Sequence, residues 1–400
     1  MDSRARSPIG SRLRRVFASL LLLTVVNTAV GADSANGTLN IYYIDTEGGQ
    51  STLFVGPTGE SLLVDTGNAG ERDLGRIADT LRAAGVSHID HMWTTHYHSD
   101  HVGALLELAK QFPVGHFYDH GMPDPKDRII SAPFLTAYDA LTQGKRSIVK
   151  PGDKLKISGL DITAVAAANQ FIRANLPGGG SRNAACSGVQ PRDESAYFDP
   201  DNGASAGFVL GFGRFRTVDL GDLTWNGELD LMCPTNRIGE VDVYLTSHHG
   251  LEKSGSPALV HALAPRVAIM NNGTRKGGDA ATFRVLFDSP GLQDLWQLHW
   301  AYNAGLENSP ATFIANMDDN ATIAGVLTQP PAGARRGGFG PGGPGGPGGG
   351  PGGPGGPGGP GVDAGAHTPA YLIHVSAQRD GTFTVTNTRN GFSKTYPPRR

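Results

Sequence analysis

Thr94-Thr95-His96-Tyr97-His98-Ser99-Asp100-His101 places three histidines and a carboxylate within six positions. Apolar Ile89, Met92 and Trp93 precede it, and Val102, Leu105, Leu106 and Ala109 follow at helical spacing. The stretch reads as a loop between a strand and a helix, where the chain can turn several side chains toward one point. Neutral imidazole nitrogens and a carboxylate oxygen are ligands that suit Zn, Fe or Mn. Four side chains exceed what one catalytic ion with an open position needs. The pattern predicts two ions side by side, the arrangement that clamps a hydrolytic water.

Three further segments end β-rich runs in acidic or imidazole side chains: Ser61-Leu62-Leu63-Val64-Asp65-Thr66-Gly67, Val218-Asp219-Leu220-Gly221-Asp222 and Tyr244-Leu245-Thr246-Ser247-His248-His249-Gly250. With His96-Tyr97-His98-Ser99-Asp100-His101 they follow the motif order of the metallo-β-lactamase superfamily, which the chain resembles over about residues 39–330. His248-His249-Gly250, with Asp45 and Gly48-Gly49-Gln50 near the start, is most similar to its competence-protein-like branch. The resemblance implies an α/β fold, the αββα four-layer sandwich of that superfamily, and two divalent ions, Zn in the first place with Mn or Fe compatible. Carried over residue by residue, His96 and His98 serve the first ion, and Asp100 and His101 the second. Asp222 bridges, with Asp219 the alternative. His248 completes the second site, with adjacent His249 its competitor. Asp100 and Asp222 are the expected catalytic carboxylates. Asp65 is expected to orient a ligand rather than bind.

One departure from the pattern is plain. The superfamily usually supplies a third histidine to the first ion, yet no histidine lies between His120 and His248. Asn202-Gly203-Ala204-Ser205 stands at that place. Asn202 or Ser205 then supplies a weaker oxygen, or His120 enters from the next strand end, or the first ion is loosely held. Lys276, in a Gly-rich loop after a strand, is a candidate for an anionic substrate group or an exposed loop lysine. His299, between Trp296 and Trp300, reads as a packed member of an aromatic cluster.

The 400 residues carry a net charge of −3. Residues 1–32 read as a secretory signal: Arg4, Arg6, Arg12, Arg14 and Arg15 form a basic start, Val16–Val26 is apolar, and Ala29–Ala32 offers small residues for cleavage. The apolar run is shorter than the ~20 residues of a membrane span, so no stable membrane insertion is expected after cleavage. Export to the periplasm or beyond follows, by a general or a twin-arginine route. Losing five Arg and one Asp takes the charge from −3 to −7. That excludes obligate nucleic-acid binding through broad basic patches and leaves a small-molecule substrate as the expected partner. In an oxidising compartment Cys186 and Cys233 are expected to pair.

Short β-rich runs alternate with helical ones through residues 33–336, the expected hydrolase domain. Residues 337–361 are almost wholly Gly and Pro and read as a solvated insertion. Residues 362–400 hold a hairpin, Tyr371–Ser376 and Thr382–Thr386 about Arg379-Asp380-Gly381, too small to stand alone and expected to join the main sheets. The functional expectation is an exported metal-dependent hydrolase using a metal-bridging hydroxide on a phosphoester, carboxylic ester or lactone. The alternative is a non-catalytic metal- or ligand-binding protein on the same fold with a degenerate first site.

Overall fold

The computed structural model describes residues 37–127, 129–195, 199–328 and 367–399. The expected signal segment and the Gly/Pro tract lie outside these residues. The first half supplies β1 (Leu39–Tyr43), β2 (Thr52–Val55), β3 (Ser61–Val64), α1 (Glu71–Ala83), β4 (Ile89–Trp93), α2 (Ser99–Val102), α3 (Leu105–Gln111), β5 (Val114–Asp119), α4 (Ala132–Thr142) and β6 (Arg146–Ile148). The second supplies β7 (Lys154–Ile157), β8 (Leu160–Ala167), β9 (Gln170–Phe171), β10 (Ser181–Arg182), α5 (Pro200–Gly203), β11 (Gly207–Phe212), β12 (Phe215–Asp219), α6 (Trp225–Met232) and β13 (Thr235–Asn236). It continues with β14 (Val243–Leu245), α7 (Pro257–Leu263), β15 (Val267–Met270), α8 (Ala280–Phe287), β16 (Asp294–His299), β17 (Ile314–Asn316) and α9 (Asn320–Leu327). The C-terminal strands are β18 (Ile373–Ala377), β19 (Phe383–Asn387) and β20 (Ser393–Tyr396).

Period-two alternation sorts the strand residues into layers. In β1, Ile41 faces one core while Tyr42 faces another; in β11, Phe208 and Leu210 face the first while Val209 turns away. The shared core lies between two sheets, with Phe54, Leu62 and Trp93 against Phe208, Phe215 and Leu245. Outside the first sheet, α1 and α3 bury Leu74, Ile77, Leu105 and Leu108. Outside the second, α6, α7 and α8 bury Leu231, Leu259 and Phe283. The layers are therefore αββα.

Among the described residues the first sheet runs β20-β19-β18-β1-β2-β3-β4-β5-β6, and the second β17-β16-β15-β14-β12-β11-β8-β7. Each is antiparallel over one part and parallel over the other: β3 to β6 pair parallel, as do β12, β14, β15, β16 and β17. Ligands in α/β folds gather beyond the carboxyl ends of parallel strands. Here Asp65 follows β3, Thr94–His96 follows β4, His120 follows β5, Asp222 follows β12 and His248-His249 follows β14. The hairpin at the C-terminus pairs β18 antiparallel with β1, opposite Leu39–Tyr43.

Val102, Leu105, Leu106 and Ala109, which stand at helical spacing, do not share one continuous helix. Gly103 donates its N–H to Gly67 O at 2.8 Å instead of continuing the turn. A Cβ on Gly103 would lie 2.1 Å from the Ala69 nitrogen, so the loop after β3 presses against the backbone at the break. The disulfide joins Cys186 and Cys233, with Cα atoms 5.8 Å apart, and ties the loop after β10 to the end of α6.

Candidate metal centre

Asp65 organises the motif from below. It is fully buried, with φ 57°, a left-handed conformation that costs about 1–3 kcal/mol outside glycine. Its carboxylate accepts from Thr95 N–H at 2.8 Å and Thr95 Oγ1 at 2.6 Å, and pairs with His101 Nδ1 at 2.7 Å. A carboxylate on Nδ1 fixes the proton there and leaves Nε2 to face a ligand. His101 Nε2 lies 3.3 Å from Asp222 Oδ1, 3.6 Å from Asp100 Oδ2 and 3.2 Å from His249 Nε2.

Asp100, His101, Asp222 and His249 each bring one ligand atom, all within 4.8 Å of one another. His249 Nε2 is 3.3 Å from Asp100 Oδ2 and 3.4 Å from Asp222 Oδ2, and its Nδ1 meets Asn271 Nδ2 at 3.2 Å. His248 Nε2 also lies 3.4 Å from Asp222 Oδ2, but its Nδ1 meets Ser254 Oγ at 3.2 Å and its ring borders a separate cleft. Of the adjacent pair, His249 is the one that reaches Asp100 and His101. The chain separates the two rings by placing both residues at positive φ, 55° and 56°. Gly277 makes room: a Cβ there would sit 2.1 Å from His249 O.

His96 approaches from the other side. Its Nε2 is buried with no hydrogen-bond partner, 3.9 Å from Asp222 Oδ2. His98 packs its ring 4.7 Å from that of His96 and spends Nε2 on Asp127 at 3.2 Å, which leaves Nδ1 as its free nitrogen. His120 is buried against Tyr97, ring centroids 4.9 Å apart. Its Nε2 is 3.3 Å from Asp201 Oδ1, yet neither ring nitrogen makes a hydrogen bond. Asn202 Oδ1 and Ser205 Oγ are likewise buried and unpaired. Asp219 faces away from the cluster, its two oxygens held by Gln50 Nε2 at 3.1 and 3.0 Å. Lys276 bonds Asp100 at the rim.

Burial would raise the Asp222 carboxyl, but His248, His249 and His101 hold it well below the ordinary carboxylate range. Burial acts the same way on Asp100, and His101, His249 and Lys276 hold it well below. For His101 burial is overcome by Asp222, Asp100 and Asp65, which keep it well above the ordinary value. Burial, with the neighbouring His101 and His98, drives His96 well below it. Ionised carboxylates facing a buried, unprotonated imidazole form a donor set that demands cations. The unpaired His96 Nε2 and Asp222 Oδ1 and the four converging atoms fit divalent metal.

A family model described as the metallo-beta-lactamase superfamily matches residues 45–125. The match covers the stretch from Asp45 through the histidine motif to the end of β5 and the loop after it. The fold around it is the metallo-β-lactamase-like αββα sandwich. An atrochrysone carboxyl ACP thioesterase of Pseudocercospora fijiensis is 28% identical over 188 residues, 47% of this chain and 45% of the relative. A coenzyme F420H(2) oxidase of Methanothermobacter marburgensis is 28% identical over 103 residues, 25% of this chain and 24% of that protein. The chain thus spans less than half the length of these curated relatives. Among solved structures, the metallo-beta-lactamase fold protein YhfI from Bacillus subtilis aligns with 65% of this chain and 96% of its own, at 13% identity and TM-score 0.40.

The motif histidines, Asp100, Asp222 and the His-His pair come together; His120 and Asn202 flank them, and Lys276 caps one edge. Asp127 and Asp201 escaped sequence reasoning. Asp201 accepts Tyr97 N–H at 2.6 Å, and its own N–H reaches Asp127 Oδ2 at 3.3 Å. Isolated acids in polar loops look like turn residues, and only the adjacency of Asp201 to Asn202 offered a signal.

Proposed function

We propose that the protein is an exported metal-dependent hydrolase of a small ester: a thioester, lactone, carboxylic ester or phosphoester. The observation that supports it is the convergence of Asp100, His101, Asp222 and His249 within 4.8 Å, beside the unpaired His96 Nε2. His96 and His98 would hold one ion, Asp100, His101 and His249 the other, with Asp222 between them. His249 thus replaces His248 as the proposed ligand. Two divalent ions, Zn in the first place, would lower the pKa of a coordinated water toward neutrality and polarise the scissile bond.

The chain's own groups do the rest. Asp65 keeps the His101 proton on Nδ1, and Asp127 orients His98. A cleft of about 360 Å³ opens beside His248 and Asn202, lined also by Glu194, Asp199, Thr224 and Lys253. Its rim carries charged and hydroxyl side chains over a largely apolar lining, and it admits a small substrate, with His248 between it and Asp222. Burial holds His248 down at about 4, so it faces the cleft as a neutral imidazole that can hydrogen-bond a substrate. Lys276 neutralises Asp100 and presents a charge at the rim. The disulfide and the basic, apolar start of the sequence support export. No described helix is long and apolar enough to cross a membrane. His248-His249-Gly250 supports the competence-protein-like branch.

The test joins elemental analysis to hydrolysis of a panel of thioester, lactone, carboxylic ester and phosphodiester substrates. Two ions per chain and turnover of one class are expected. Bound metal with no turnover across the panel would favour the non-catalytic reading, and absence of any bound transition metal would remove both.

A further inference from the structure

A second convergence of ligand atoms lies apart from the centre. Glu47, His299 and His367 each bring one ligand atom within 4.8 Å of the others. His299 Nε2 is 2.6 Å from Asp45 Oδ1 and 3.6 Å from Glu47 Oε2. His367 Nδ1 is 3.8 Å from Glu47 Oε1, and its Nε2 is 3.3 Å from Asp318 Oδ1. The rings of the two histidines lie 5.0 Å apart. His299 is therefore a member of a polar cluster, not the packed aromatic residue its tryptophan neighbours suggest.

We propose that this cluster is a structural zinc site, distinct from the candidate hydrolytic centre and independent of its reading. Three observations carry it. Both nitrogens of His367 are shielded from solvent, and among the described residues neither closes a well-aligned hydrogen bond, although carboxylates stand on either side. Second, the charges do not balance. Asp45, Glu47 and Asp318 carry three negative charges against one guanidinium, that of Arg76, which bonds Asp45 Oδ2 at 2.8 Å and lies 3.7 Å from Glu47 Oε1. One divalent ion with neutral histidines restores neutrality, as would two protonated imidazoles, and the proton NMR spectrum of zinc-saturated protein separates the two. Third, the Glu47 carboxylate reaches both imidazoles at once, one oxygen 3.6 Å from His299 Nε2 and the other 3.8 Å from His367 Nδ1. Two imidazoles and a carboxylate are a zinc donor set, with bonds of about 2.0–2.2 Å within reach of small side-chain movements. Asp45, His367 and Arg76 also line a cavity of about 570 Å³, which gives the ion an entry path.

The site would join segments far apart in the chain. His367 opens the described residues leading into β18, and its backbone is already tied there: Arg76 Nη2 bonds its carbonyl at 2.7 Å, and its N–H reaches Glu47 Oε1 at 3.3 Å. Glu47 begins the loop whose Gln50 grips Asp219 and whose Gln50 N–H bonds Asp100 O at 3.1 Å. Zinc here would fasten the C-terminal strands to the loop that supports the hydrolytic centre.

The experiment is zinc content per folded chain, after saturation with Zn²⁺ and dialysis, for the full-length wild type, His367→Ala, Glu47→Gln and His101→Ala. His367→Ala and Glu47→Gln should each carry one zinc fewer than wild type, and His101→Ala should keep that zinc while losing metal from the other centre. The near-isosteric Glu47→Gln serves where His367→Ala fails to fold. Equal zinc in wild type and folded Glu47→Gln overturns the proposal, as does a proton NMR spectrum showing both imidazoles protonated in zinc-saturated protein. A hydrolytic centre that binds nothing would leave wild type with one zinc and His367→Ala with none, which separates failure of that reading from failure of this one.

Discussion

The two flanks of the candidate centre are built differently. On the His101 side each ligand has a partner behind it: Asp65 behind His101, Asn271 behind His249, Lys276 against Asp100. On the His96 side Thr95 Oγ1 backs His96 at 3.1 Å and Asp127 backs His98, but both His120 nitrogens, Asn202 Oδ1 and Ser205 Oγ have no hydrogen bonds among the described residues. Ligands backed by a second partner stand ready before the ion arrives, whereas unpaired buried polar atoms cost stability until something fills the space between them. On the proposed dinuclear reading, the difference teaches that the ion on the His101 side should be the tighter.

The severest way to break this comparison is to remove what both sides share. Asp222 contacts His101, His248 and His249 and faces His96. Asp222→Ala should release both ions, and hydrolysis should fall by at least the about 10²–10³-fold seen when an electrostatic stabiliser is lost. Metal content read beside turnover checks it. If one ion remains at wild-type affinity, Asp222 belongs to one side only and the two sides are independent.

Next in size is the ordered side alone. Asparagine tolerates the left-handed backbone of residue 65 better than most residues, so Asp65→Asn keeps the turn while removing the charge on His101 Nδ1. Loss of such a partner typically costs about 10–100-fold in metal affinity. Competition with a chelator should show that loss confined to the tighter ion. Unchanged affinity would reduce Asp65 to a turn residue.

Much of this was readable in advance, for identifiable reasons. His96 to His101 carry their ligands on a short loop where sequence spacing nearly equals spatial spacing, and Asp65, Asp222 and the His-His pair each end a strand marked by β-branched or leucine-rich runs. The same local rule fails where distant chain segments decide. Nothing local separates His248 from His249; their consecutive positive φ values, permitted by Gly277, do. Asp127 becomes a partner of His98 only because the loop after β5 folds back. The helical spacing from Val102 to Ala109 looks continuous until the loop at residues 67–69 presses on Gly103. Residues 132–167, where no element was read from the sequence, form α4, β6, β7 and β8, and the polar Ser393–Tyr396 is β20, an edge strand with one buried side chain, Tyr396.

The looser side can be sharpened by a smaller change. Asn202 Oδ1 is a buried acceptor with no hydrogen bond. Asn202→Ala should lower affinity for the weaker ion by about tenfold or less, while the metal-free protein melts no lower, since an unsatisfied acceptor is removed. Opposite results, unchanged affinity with a lower melting temperature, would make Asn202 a packing residue and leave His120 and Ser205 as the oxygen or nitrogen source.

The smallest effect concerns the seat of His248 and is read by pH. Glu228 is fully buried and accepts N–H from Gly255 at 2.7 Å and Ser256 at 2.6 Å, and so holds the turn whose Ser254 meets His248. Burial, against those hydrogen bonds, pushes its carboxyl up from 4.5 to about 7. The folded state therefore binds more protons than the unfolded one between those values. Stability from this group is fully present below 4.5 and is lost as pH rises to about 7, then stays level. Asp219, raised to about 7, adds a slope of the same sign; His248, lowered to about 4, adds the opposite slope below its ordinary 6.5. Both remain in Glu228→Gln, so the difference between the two proteins isolates Glu228. Melting temperatures of the metal-free proteins should show the variant gaining on wild type as pH rises through that window. Parallel curves would mean that Glu228 ionises normally in the fold, and that the turn behind His248 carries no buried-charge penalty.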